Sequence, residues 1–165
     1  MLDLFVSGVA TGALQPTLDL SKEAWNPTPE TSVRVFLGAG LACPLLTQGG
    51  SIVSISSSGY PRCIPGQAAV GASKAALESL TRAFAVEFAH GGIPVNCVPG
   101  RLTGTDAFPR LPARDRMHDV TTGRTPLGRI GHPEDIAHVV ALPCAVDARG
   151  ITEQVIAPDG GFSLM

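Results

Sequence analysis

Hydroxyls cluster at Ser54-Ile-Ser-Ser-Ser-Gly-Tyr60, and Gln67-Ala-Ala-Val-Gly-Ala-Ser-Lys74 brings a lysine in among small side chains. A strand ending in hydroxyls, a turn and a helix carrying an ammonium could supply hydrogen-bond donors to a carbonyl oxygen or an enolate. Lys74, buried on such a helix, would have a lowered pKa and could act as acid, base or electrostatic stabiliser. Equally, it could do no more than hold loop carbonyls. Tyr60 is the only tyrosine and follows Ser57 by three residues. It could offer a phenol to the same cleft, or simply cover the turn. Ser56, Ser57 and Ser58 have no histidine near enough in sequence to nominate as a base. Strand-end hydroxyls that cap backbone groups are therefore expected there.

These groups need elements to hold them. Leu2 to Ser7 reads as a buried strand, and Asp19 to Trp25 as a short surface helix. Thr28-Pro29-Glu30 reads as a helix start, with a hydroxyl cap, proline at the first position and an acid near the positive dipole end. The helix from Thr31 to about Leu46 carries only Arg34 as a charge, so most of its circumference should be covered; Pro44 should kink or end it. Ser51 to Ser56 is the next strand and Gln67 to about Ala89 a long helix ended by Gly91-Gly92. Ile93 to Val98 is a third strand. Gly104 to Arg124 is polar, with Pro109 and Pro112, and reads as a loop with helical fragments. His132-Pro-Glu-Asp135 opens a helix ending near Val146, and Glu153 to Ala157 is a last strand. Strands alternating with helices predict an α/β fold with a parallel sheet covered on both faces.

Composition narrows the function. The 165 residues suffice for one domain with a real core, and 44% hydrophobic content fits a globular chain. A net charge of −2 with no Lys/Arg cluster argues against nucleic acid and anionic membrane as partners. Cys43, Cys63, Cys97 and Cys144 form no CxxC pair, so a reducing compartment is expected. His132 and His138 flank Asp135 without a third ligand, which favours a solvated face over a metal. The first residues lack a basic leader and no apolar run is long enough to span a bilayer, so a soluble cytoplasmic protein is expected.

Ser73-Lys-Ala-Ala-Leu77, Val95-Asn-Cys-Val-Pro-Gly100, Pro126-Leu-Gly-Arg-Ile-Gly-His-Pro-Glu-Asp135 and Pro158-Asp-Gly-Gly161 occur in that order. Together they resemble the short-chain dehydrogenase/reductase family, most closely its enoyl-acyl-carrier-protein reductase branch. The resemblance implies a partial Rossmann-like doubly wound parallel sheet, made of the C-terminal strands and helices of the family fold over residues 1–165. Val6-Ser-Gly-Val-Ala-Thr-Gly12 resembles the end of the family's fourth strand. The three strands before it, on the order of 80 residues at ~30 per βαβ step, would be absent. With them would go the glycine-rich phosphate turn, and no G-x-G-x-x-G occurs in this sequence.

By the same resemblance Ser57 matches the hydroxyl that orients substrate, and Lys74 the lysine that holds the nicotinamide ribose. The catalytic tyrosine's place, seven residues before the lysine, is Gln67, which has no titratable proton; the four-residue spacing lands on Val70. Ser32 matches the active-site asparagine. Pro99 and Thr105 match a segment that contacts nicotinamide, and Asp106 and His118 lie in the loop that covers substrate in family members. The apolar helices imply a dimer interface.

The leading expectation is a redox-inactive enzyme using Ser57, Lys74, Tyr60 and Gln67 in a cyclisation, isomerisation or dehydration of a hydrophobic carbonyl or polyketide-like compound. One alternative is a non-catalytic partner subunit of a full-length short-chain reductase. A further alternative is an NADPH-dependent reductase borrowing another chain's dinucleotide site. No cofactor is expected, with NADP entering only if a partner chain supplies that site. An exposed edge at Leu2 to Val6 leads to an expected homodimer at minimum.

Overall fold

The computed structural model describes residues 1–57, 64–111 and 114–165, with only the main chain at 35 and 110. Three strands, β1 (Leu2–Ser7), β2 (Leu46–Ser57) and β3 (Val95–Gly100), form a parallel sheet in the order β1-β2-β3. The helices are α1 (Lys22–Trp25), α2 (Pro27–Ala42), α3 (Ala68–Phe88), α4 (Arg114–Arg124) and α5 (Pro133–Ala141). Successive β2 side chains point to opposite faces. Ile52, Ser54 and Ser56 turn to α3, while Ser51 donates its hydroxyl to Pro143 O on the other face at 3.1 Å. Helices thus cover both faces of β2 and β3, as the alternating pattern predicts.

The core lies under α2 and α3. Phe36, Ile52, Leu77, Phe84 and Val95 are buried together, and the Phe36 and Phe84 rings sit 5.0 Å apart. Phe5 of β1 packs on the same cluster from its α2 side. On the opposite face of β1, Leu2, Leu4 and Val6 are exposed among the described residues, which corrects the expectation of a buried strand. Leu37 and Leu41 are also exposed, so α2 is not covered all round as its lack of charge suggested.

Several boundaries differ for identifiable reasons. Helix α2 starts at Pro27, not after Thr28, because a proline tolerates the first turn where no N–H is needed. The Thr28 hydroxyl instead accepts the Ala13 N–H at 3.1 Å. Pro44 ends α2 by entering a 3-10 turn, Cys43–Leu45. Strand β2 begins five residues earlier than expected, at Leu46 instead of Ser51, because Gly49 adopts a φ of 89° and absorbs an irregularity opposite Leu2 and Leu4. β3 sits two residues later than expected, with Pro94 just outside it.

The polar segment after β3 contains an 11-residue helix, α4, in which only Thr121 is buried. Helix α5 stops at Ala141, just before Pro143, short of the expected Val146. It is capped by His132 and Asp135, whose carboxylate accepts the His132 N–H and grips Arg129. The last strand shrinks to a bridge between Cys97 and Val155. Glu153 takes a left-handed φ of 66°, which breaks the extended run before it can lengthen.

Candidate active site

The β1 ladder stops at the Ser7–Ser54 pair. Even residues of β2 turn their backbone groups to β3, as Ile52 N–H does to Pro94 O at 2.9 Å. Odd residues turn theirs toward β1, so the Ile55 carbonyl lies just past the end of that ladder. A buried carbonyl must find a donor. Lys74, 5% exposed, supplies it, with Nζ 3.0 Å from Ile55 O. Burial lowers the ammonium's pKa, and the neighbouring Cys97 opposes that shift. Two of the ammonium's three N–H bonds have no acceptor among the described residues.

Beneath Lys74 a polar seam joins α3 to the sheet. Glu78 accepts the Ser56 hydroxyl at 2.8 Å, and the Thr81 and Ser54 hydroxyls meet at 3.0 Å. Cys97 is fully buried on the same face, and its pKa is pushed up to about 11, chiefly by burial, so the thiol is neutral at physiological pH. Glu78 is also raised by burial, with Ser56 and Arg82 opposing. Sequence reasoning missed Glu78 and Cys97. The available signal was polar residues at 74, 78 and 81 on the apolar side of α3, facing serines spaced two apart.

The other residues singled out in the sequence are dispersed. Ser57 is half-buried at the end of β2, opposite Gly100, and Pro99 is buried opposite Ser56. Gln67 is half-buried at the start of α3, where its carbonyl accepts the Gly71 N–H at 2.8 Å. Val70 packs against Gly12, where an added Cβ would lie 2.3 Å from Val70 Cγ2. Ser32 is buried, and its hydroxyl has no partner among the described residues. Thr105, Asp106 and His118 are exposed; His118 Nδ1 lies 3.3 Å from Asp119. None of these three bonds to Lys74 among the described residues. Tyr60 and Ser58 lie outside the described residues. No cluster of metal-ligating side chains is present among them. Two hollows of about 280 and 390 Å³ lie elsewhere, one by Arg101, Arg129 and His138 and one by Gly49, Pro94 and Arg149.

The family model described as Enoyl-(Acyl carrier protein) reductase matches residues 1–163. The chain belongs to the short-chain dehydrogenase/reductase family. A tropinone reductase homolog of Arabidopsis thaliana is 35% identical over 99% of this chain and 63% of its own length. The 1-cyclohexenylcarbonyl-CoA reductase of Streptomyces collinus is 38% identical over 99% of this chain and 60% of its own. Among solved structures, the angucycline C-6 ketoreductase LanV with bound NADP superposes with a TM-score of 0.89 at 27% identity, over 99% of this chain and 63% of LanV. The chain therefore spans 60% to 63% of the length of these relatives.

The expectation that no cofactor is used does not stand. A relative alike over nearly the whole chain holds NADP, and relatives matched by sequence are named as reductases. The expectation rested on the lack of a G-x-G-x-x-G turn and on Gln67 in the tyrosine's place. No helix among the described residues is long and apolar enough to cross a membrane.

Proposed function

We propose that this chain forms the substrate- and nicotinamide-facing part of a nicotinamide-dependent reductase that saturates the double bond of a conjugated acyl compound. One observation carries the reading: the buried Lys74 ammonium sits on the Ile55 carbonyl, just past the carboxyl end of the β1 ladder, where open parallel sheets receive their ligands. Its two N–H groups without an acceptor among the described residues suit one hydroxyl of a ribose and one substrate oxygen. Lys74 would hold that ribose, with Pro99, Gly100 and Thr105 beside the ring. When bound, the coenzyme supplies hydride.

The missing phenol bears on the substrate. Reducing a ketone leaves a strongly basic alkoxide that needs a positioned acid. Gln67 has no titratable proton and Val70 is apolar. A conjugated acyl group instead accepts hydride at its β-carbon as the carbon–carbon π bond breaks. The resulting enolate is far less basic and takes its α-proton from water. Ser57, Lys74 and the Gln67 amide would donate hydrogen bonds to the enolate oxygen. The 38% identity to a reductase named for a cyclohexenylcarbonyl thioester supports this choice over ketone reduction, the activity in LanV's name. It replaces the cofactor-free cyclisation or isomerisation. Ser32, Asp106 and His118 are proposed to face the acyl side, and Tyr60 is the chain's one phenol.

The reading also needs partners. The outer edge of β1 and the exposed Leu2, Leu4 and Val6 suit further strands carrying the phosphate-holding half of a doubly wound sheet. The exposed Leu37 and Leu41 of α2 suit a homodimer. Leu41→Glu should then convert a dimer to a monomer in sedimentation.

The functional test follows NADPH absorbance with a cyclic enoyl thioester and with a ketone, using the chain alone and co-expressed with a full-length relative. Oxidation coupled to enoyl reduction is expected. Failure with both substrates in both settings would overturn the reading, and turnover of the ketone alone would transfer it to carbonyl reduction.

A further inference from the structure

The seam beneath Lys74 places one carboxylate where it can control the strand end. Ser56 lies between Ile55, whose carbonyl holds Lys74, and Ser57. Its backbone pairs with β3 opposite Pro99, while its hydroxyl donates to Glu78, 6% exposed. Lys74 and Glu78 are one helical turn apart on α3, so the two bonds clamp consecutive residues of β2 onto one stripe of the helix. A carboxylate buried between helix and sheet is costly unless it is well bonded. Leucine or alanine would serve packing better. Among the described residues, Glu78 meets Ser56 from β2, Cys97 from β3 and Arg82 from the next turn of α3.

We infer that Glu78 is a positioning residue: through the Ser56 hydroxyl it fixes the end of β2, and with it the Ile55 carbonyl that aims Lys74 and the Ser57 side chain. Its kinetic consequence rests on the reductase reading above; its structural consequence does not. Glutamine keeps an oxygen that accepts the Ser56 hydroxyl, whereas alanine does not.

The test compares Glu78→Gln, Glu78→Ala, Ser56→Ala and the double alanine variant, with Phe84→Leu as a core control of similar stability loss. Glu78→Ala should lower kcat/KM for NADPH about tenfold, and Glu78→Gln should stay within about threefold of the parent, the size expected when a misplaced group is restored. The double alanine variant should be no worse than either single change, because both remove one interaction. Amide exchange at residues 55–57 should accelerate in Glu78→Ala beyond that in Phe84→Leu. Equal loss in the glutamine and alanine variants, or unchanged protection at 55–57 in Glu78→Ala, would overturn the inference. If the parent chain reduces nothing, the reductase reading fails while the exchange measurement still decides the role of Glu78.

Discussion

If the proposed reductase reading holds, Lys74→Met should lower turnover by at least ~100-fold, the lower range for losing a positioned proton-handling or charge-stabilising group, without unfolding the chain. The lysine is 5% exposed and bonded to a single described carbonyl, so its ammonium is held at a cost in desolvation. Methionine matches its length and is apolar, so stability at neutral pH should hold or rise. The pH dependence identifies the cause. Because the folded pKa lies below the ordinary 10.5, the unfolded chain binds the extra proton between the two values, and stability from this group rises with pH across that window. Cys97 acts in the opposite sense. Its pKa of about 11 exceeds the ordinary 9.0, so the unfolded thiol ionises first and stability falls as pH rises from 9 to 11. Subtracting the urea midpoints of Lys74→Met from those of the parent, from pH 7 to 11, cancels the thiol. The difference should shrink as pH rises. A variant less stable than the parent at pH 7, or one retaining turnover, would show that the lysine is structural.

The elements that fold by local rules were legible in the sequence. Pro44, Gly92 and His132-Pro-Glu-Asp135 mark helix ends through backbone chemistry that needs no tertiary partner, and the structure places the ends close to them. The Ser-Lys-Ala-Ala-Leu and Val-Asn-x-Val-Pro-Gly motifs point to the sheet they build. What depends on neighbours was not legible. Leu4 and Val6 look like core, yet nothing described covers their face of β1. Glu153 to Ala157 has strand-forming composition, but one left-handed residue confines it to a bridge. Alternation in Ser-Ile-Val-Ser-Ile-Ser assigns faces but not partners. Ser56 reads as a strand-end hydroxyl that caps backbone, yet it bonds to Glu78 across the interior, as Ser54 does to Thr81. Long-range pairing of that kind appears only when helix and strand registers are known together.

Asn96→Ala should cost about 3 kcal/mol, near the sum expected for two buried partners left unsatisfied. Asn96 is fully buried on the face of β3 away from α3. Its amide donates to Ile151 O at 2.6 Å, and its oxygen accepts the Gln154 N–H at 3.0 Å. Those bonds brace a segment that β3 also holds through its backbone, the Val95 N–H reaching Thr152 Oγ1 at 3.1 Å. Beyond them, Glu153 N–H reaches Val95 O at 2.8 Å, and Cys97 exchanges two bonds with Gln154 and Ile156 at 2.8 and 2.9 Å. With the strand reduced to one bridge, the side-chain amide does the work a longer ladder would otherwise do. Asn96→Asp separates the two halves of that work. The carboxylate still accepts from Gln154 but turns an acceptor toward the Ile151 carbonyl, so at pH 7 it should be worse than alanine. Protonation restores a donor, and a buried carboxyl has a raised pKa. The unfolded state therefore ionises first, and stability is lost as pH rises through the folded value. Denaturant midpoints at pH 5 and 7 should thus diverge for Asp and stay parallel to the parent for Ala. If both variants fall within about 0.5 kcal/mol of the parent, the size of an ordinary surface change, then the segment beside β3 is held by something other than Asn96.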